Sequence, residues 1–248
     1  MENGGALAKP HDMEACSHHA RGDQCRFCNI RRLSICAALE ADELAMFEDM
    51  SSDTVFEDKA TLFREEDKAV SVYNVTSGVV RMVRSLSDGR RQITGFALPG
   101  DFLGLALAEI WPFTAEAVTE VHACRFKRTA FEDLGSRKPH LVKRMHEFAT
   151  HELSLAQDHM VLLGRLTAEE KLISFFVELK RRWSRVEGHE IGLIKLPMGR
   201  QDIADYLGLT IETVSRIINQ MQRDRKLVIV PDGIRFIDNS FFEEHALR

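Results

Sequence analysis

Residues 199–238, GRQDIADYLGLTIETVSRIINQMQRDRKLVIVPDGIRFID, carry two short helical patterns parted by a glycine, then two β-rich runs. Ile203, Ala204 and Leu207 recur at helical steps and make the buried face of a first helix; Gly208 permits a tight turn. Thr210 can cap a second helix whose Val214, Ile217, Ile218 and Met221 face inward. This is a helix-turn-helix pattern. Behind it, "KLVIV", the turn "PDG" and "IRFID" predict a two-stranded wing.

With the apolar side assigned, the opposite face of the second helix presents Glu212, Ser215, Arg216, Asn219 and Arg223. The first three lie in the N-terminal half, the part that enters a major groove in this motif. Arg216 can donate two hydrogen bonds to guanine O6 and N7, Glu212 can accept from cytosine N4, and Ser215 can bond a base or a phosphate. Arg223, Arg225 and Lys226 stand where phosphates would pass, contacts that position without reading sequence. Glu212 and Arg216, four apart, would also suit an ordinary solvated helix pair worth about 0.3 kcal/mol. The complete two-helix pattern and the hairpin behind it favour double-stranded DNA over that reading.

Upstream, "TAEEKLISFFVELKRRW" is amphipathic with Leu172, Ile173, Phe176 and Leu179 on its buried side; "EGHE" ends it and "GLIKLP" predicts a short strand. Before that, Pro139 opens a long helix. Val142, Met145, Ala149, Leu153, Ala156, Met160 and Leu163 recur at three- and four-residue steps, as a coiled-coil seam does. A second stripe, Leu141, Phe148, Leu155, Leu162 and Leu166, runs beside it. Two stripes imply two partners: a second copy of the chain and the chain's own barrel. Asp158 and His159, beside the seam, would weaken pairing enough to make it switchable, and Asp158→Ala would strengthen it. Thr129-Ala-Phe-Glu132 reads as a capping box that starts a shorter helix.

From about 52 to 128 the pattern alternates as strands do, cut by the turns Ser77-Gly78, Asp88-Gly89 and Pro99-Gly100. Short antiparallel strands at this spacing predict a double-sheet barrel or jelly roll. The whole chain, 248 residues with 44% hydrophobic residues, is sized for two modest domains. No apolar run is long enough to span a bilayer and no secretory signal opens the sequence, so the expected compartment is the cytoplasm. A net charge of −5 means that a DNA surface has to be local. No nucleophile–base constellation or phosphate-binding glycine loop points to an enzyme.

"DIADYLGLTIETVSR", the barrel run "SGVVRMVRSLSDGRRQITGFALPGDFLG" and the long helix between them resemble the CRP/FNR family of dimeric bacterial transcription regulators, in its FNR, FixK and FnrN branch. The resemblance spans nearly the whole chain. It implies an α+β fold: an N-terminal double-stranded β-helix (jelly-roll, cyclic-nucleotide-binding-like) barrel, a long dimerisation helix and a C-terminal winged helix-turn-helix. It divides the chain into a cysteine-bearing loop at 1–40, a sensor barrel at 41–135, a dimerisation helix at 136–165 and a DNA-binding domain at 166–248. It also implies a homodimer that reads palindromes with TTGAT-type half-sites through Glu212, Ser215 and Arg216, and that touches RNA polymerase, for which the Asp88-Gly89 hairpin and neighbouring loops are candidates.

Cyclic nucleotide is the best-known effector of that family, and members that bind it carry a glutamate after the "GDF" turn and an Arg-Ser pair for the phosphate. Here Leu105 stands in the glutamate position, and Thr114 and Glu116 flank Ala115 where Arg and Ser would be expected. A carboxylate cannot replace a guanidinium at a phosphate, so no cyclic nucleotide is expected.

The N-terminal "CRFCNIRRLSIC" offers another input. Cys25-x-x-Cys28 can share one metal centre, Cys36 returns by a loop, and Cys124 arrives from a barrel strand. Four thiolates suit a 4Fe-4S cluster or a structural zinc equally by spacing. A thiol switch with Cys16 as resolving partner, or an inert tail with Cys124 in a core, are the other readings. Resemblance to oxygen-sensing FNR proteins implies the cluster, held by Cys25, Cys28, Cys36 and Cys124, with a third-cysteine spacing of the rhizobial type. Cys16 is then spare, and His18 and His19 are left out of the site. Ile35 would screen the cluster, and Ile35→Ser would hasten its loss in air.

Overall fold

The computed structural model describes residues 25–104 and 109–247; Cys16, His18, His19 and Leu105 lie outside the described residues. A 3₁₀ turn, Ile35–Ala38, and helix α1, Ala41–Asp49, lead into the strands. These are β1 Ser51–Phe56, β2 Thr61–Phe63, β3 Ser71–Ser77, β4 Val80–Ser85, β5 Arg91–Ala97, β6 Phe102–Leu103, β7 Thr114–Ala117 and β8 Val121–Lys127. They form two four-stranded sheets, ordered β1-β8-β3-β6 and β2-β7-β4-β5, the jelly roll expected from the alternation.

Period-two alternation divides each strand between two environments. Tyr73, Val75, Val80, Ala115, Ala117, Val121 and Ala123 fill the barrel. Val72, Phe102 and Phe126 point the other way and share a core with Ile35, Phe47, Phe131 and Leu141. Ile35 is fully buried there. It anchors the end of the cysteine loop as a core residue, a structural role in addition to any screening.

β8 runs directly into α2, Arg128–Arg137, with Lys127 in extended conformation as the N-cap and no side-chain cap. The expected Thr129–Glu132 box is therefore corrected: Thr129 is already inside the helix, and Glu132 instead accepts from Arg128 Nε at 2.7 Å. Helix α3, Pro139–Arg165, follows. Its inner stripe is bound at both ends, Leu141 and Leu162 being buried, while Val142, Leu153 and Met160 are 49%, 59% and 64% exposed. Met145 and Leu163 of the seam pack against the chain's own cores, while Val142, Leu153 and Met160 stay uncovered among the described residues.

Helix α4, Ala168–Glu187, is held at its start by Thr167 and Glu170, which cap reciprocally. β9, Ile194–Lys195, α5, Arg200–Leu207, α6, Ile211–Arg223, β10, Leu227–Val230, β11, Gly233–Phe236, and α7, Asn239–His245, complete the described chain. The wing is three-stranded, ordered β10-β11-β9, where two strands were expected. Ile194 pairs with Ile234 because the run ahead of the helix-turn-helix folds back on the hairpin. One core joins Leu172, Phe176 and Leu179 of α4 to Ile203, Leu207, Val214 and Ile218, and it also takes in Val83, Ile93 and Phe96 from the barrel. No helix among the described residues is long and apolar enough to cross a membrane.

Candidate nucleic-acid interface and cysteine site

The helix-turn-helix is set by local chemistry. Gly208 ends α5 with φ +63°, a left-handed conformation in which a glycine has no steric cost. Thr210 starts α6 by accepting from the Thr213 N–H at 3.2 Å. Val214, Ile218 and Met221 are buried and Ile217 is partly so, which leaves Glu212, Arg216, Asn219 and Arg223 exposed on the outer face and Ser215 half-buried beside them. Glu212 and Arg216 form no ion pair among the described residues, so the intrahelical pairing considered for them is not made. Arg223 donates to Gln220 Oε1 at 2.5 Å. Lys226 pairs with Asp238 at 2.8 Å and lies over the Phe241 ring, ties that close the wing. Asp238 follows the wing in sequence, so only the folded hairpin brings the two together.

Ion pairs that the sequence did not announce dock this unit on the barrel. Arg81 of β4 donates to Asp202 Oδ1 at 2.9 Å and to Glu116 Oε2 at 2.8 Å. Arg91 of β5 donates to Asp202 at 3.0 Å and Asp205 at 2.5 Å. Gln92 donates to the Tyr206 carbonyl at 3.2 Å. His159 departs from expectation as well. Its ring stacks on Tyr206 at 4.2 Å, its two ring nitrogens are buried without hydrogen-bond partners among the described residues, and burial lowers its pKa. It faces Tyr206 of α5 and not the seam; Asp158 remains exposed.

Cys36 is buried in the outer core of the barrel, and Cys25 and Cys124 pack against that core; Cys28 is half-buried. Cys124 occupies the outward face of β8, in a transverse row with Asp53 of β1 and Asn74 of β3. Its Sγ lies 4.0 Å from Asp53 Oδ1. Burial, then the neighbouring Cys36, Glu48 and Asp53, push the Cys25 thiol up to about 12. Burial also raises Cys36, against the Ser34 hydroxyl that lowers it. Such thiols ionise when a metal cation supplies the missing opposite charge.

Next to Cys124, Asn74 is 1% exposed and its Oδ1 has no hydrogen-bond partner among the described residues. A soft thiolate donor set, with an unpartnered buried amide oxygen beside it that can face a cation, suits a metal held by sulfur. Among the described residues no three Cys, His, Asp or Glu side chains stand together as a ready-made metal-binding group.

Residues 53–138 match a family described as the cyclic nucleotide-binding domain, and residues 196–225 match bacterial regulatory proteins of the crp family. The chain is 47% identical over 219 residues to the transcriptional activatory protein AadR of Rhodopseudomonas palustris, covering 88% of this chain and 91% of that one. It is 45% identical to the nitrogen fixation regulation protein FixK of Bradyrhizobium diazoefficiens, covering 91% and 94%. The solved structure of FixK2 from Bradyrhizobium japonicum superposes with a TM-score of 0.74 at 34% identity, over 80% of this chain and 98% of that one.

Proposed function

The chain belongs to the CRP/FNR family of bacterial regulatory proteins, and on that premise we propose that it is a dimeric, DNA-binding transcription regulator whose cysteine loop makes it respond to oxygen. The observation that carries the DNA reading is the outer face of α6: Glu212, Arg216, Asn219 and Arg223 are exposed, with Ser215 beside them, on a helix whose opposite side is fixed in a core. Arg216 and Glu212 read base edges of a TTGAT-type half-site, and Arg223 contacts backbone phosphate. The exposed seam of α3 pairs with a second copy, which sets the two reading helices about 34 Å apart, one turn of DNA. The exposed Asp88–Gly89 hairpin is offered to RNA polymerase.

Cyclic nucleotide is not part of this reading. Ala115 is fully buried in the barrel, and Glu116 beside it is paired with Arg81.

Cys25, Cys28, Cys36 and Cys124 hold a 4Fe-4S cluster in this proposal. When bound, the cluster supplies an oxygen-labile tether between loop and barrel. The chain's own residues prepare for it: Ser34 accepts from the Cys36 N–H at 3.2 Å, and Ile35 and Leu39 fix the loop's end in the core. Control then runs from the cysteines to the pairing of α3 and on to DNA affinity.

Protein purified without oxygen is assayed for iron, sulfide, visible absorbance, mass and palindrome binding, then again in air. The expected result is a brown dimer with about four irons per chain that bleaches and loses DNA affinity in air. Colourless or zinc-containing protein that binds its palindrome in air would leave the regulator and remove the oxygen sensor.

A further inference from the structure

Arg32 lies midway between Cys28 and Cys36, and its guanidinium reaches out of the barrel half altogether. Nη2 donates to the carbonyls of Arg185 at 2.9 Å and Val186 at 2.8 Å. Both belong to the last turn of α4, where carbonyls have no amide partner within the helix and carry its negative dipole end. A cation there satisfies two acceptors and the dipole together. Gly188, the next residue but one, has φ +81°, and a Cβ on it would fall 2.8 Å from Arg32 Nη2. The residue type at 188 therefore meets two needs, the left-handed cap and the approach of the guanidinium.

The surroundings repeat the theme. Leu33 packs so close to Gly100 that a Cβ there would fall 2.7 Å from the leucine's own Cβ. Asp101 of the barrel pairs with Arg182 of α4. A cavity of about 20 Å³ at this junction is lined by Leu33, Asp101, Glu152, Leu155, Arg182 and Val186, which brings loop, barrel, α3 and α4 together.

We propose that Arg32 is a positioning residue, the direct link within one chain by which the cysteine loop holds the DNA-reading half, on a route separate from the pairing of α3. The proposal rests on reading residues 25–36 as the sensing loop. An ordered loop keeps the guanidinium on α4 and fixes the angle of the reading head. A loosened loop releases it, and each head must then be ordered anew on binding DNA.

The test is Arg32→Gln in the full-length protein, with Arg32→Lys and Gly188→Asn beside it. Asparagine tolerates the left-handed cap but puts a Cβ against the guanidinium. Expected for Arg32→Gln are unchanged iron content, visible spectrum and dimer mass, and faster amide exchange in the last turn of α4. Affinity for a duplex with inverted TTGAT half-sites should fall about three- to tenfold, the range for an exposed charge-assisted contact. Lysine should restore part of the loss, and Gly188→Asn should add nothing to Arg32→Gln. If Arg32→Gln loses iron or its dimer, Gly188→Asn, which leaves the loop untouched, decides in its place by the same fall. Affinity within about twofold of the parent, or above it, overturns the link. If the parent protein holds no iron, the cluster reading falls alone, and the exchange and affinity comparisons still decide the role of Arg32.

Discussion

Arg81 and Asp202, 121 residues apart in sequence, meet at 2.9 Å across the junction between barrel and reading head. Asp202 also accepts from Arg91 Nη2 at 3.0 Å and from the Gly199 N–H at 3.4 Å. One carboxylate thus begins α5 and docks it. Removing an arginine leaves that carboxylate in a low-dielectric seam with fewer partners, which costs more than losing a surface pair.

Arg81→Met should destabilise the protein by about 1–3 kcal/mol in urea unfolding, and the Arg81→Met/Asp202→Asn double variant should cost clearly less than the two singles added. Strict additivity would mean that the pair is not coupled.

Arg216 and Arg223 share a helix and should fail differently on DNA. Arg216→Ala should cost about 1–3 kcal/mol at one base position and relax preference there. Arg223→Ala should weaken all duplexes alike and lower the salt slope of binding by about one. Titrations on matched and mismatched duplexes at several salt concentrations separate the two. Equal losses on every duplex for Arg216→Ala would remove its base-reading role.

The Glu43 carboxyl is held at about 2, chiefly by the Lys138 ammonium at 2.6 Å, then by the Glu40 N–H and His140. Its folded pKa lies below the ordinary 4.5, so its stabilisation is complete above that value and is lost as pH falls toward 2. Glu43→Gln should lower the midpoint of thermal unfolding near neutral pH, and the difference from the parent should shrink steadily over that acid range. A pH-independent difference would assign the effect to packing.

The reading head was legible in sequence because its determinants are local. Thr210, Gly208 and the apolar steps from Val214 to Met221 act within one or two helical turns. The barrel was legible for a similar reason, alternation being a property of each strand. What sequence did not disclose depends on distant residues coming together. The pairing of Lys226 with Asp238 and its place over Phe241 come only with the folded hairpin. His159 looks like a seam residue until Tyr206 supplies a ring to stack on. Thr129 fits a capping pattern, but β8 delivers the chain already turning, one residue earlier. The cysteine spacing offered four candidate donors; the buried Asn74 Oδ1 beside Cys124, unpartnered among the described residues, follows only from the register of β3 on β8.

β9 bears on how such chains can be cut and recombined. The third wing strand comes from ahead of the helix-turn-helix, and Trp183 of α4 donates to its Lys195 carbonyl at 3.0 Å. At the other end, the Leu247 N–H donates to Ser174 of α4 at 2.9 Å. The wing and the chain's tail are thus both fastened to α4. A transplanted reading head that starts at Gly199 would leave a sheet edge and an indole unpaired, so a graft between relatives has its natural joint ahead of Thr167, at the foot of the long helix.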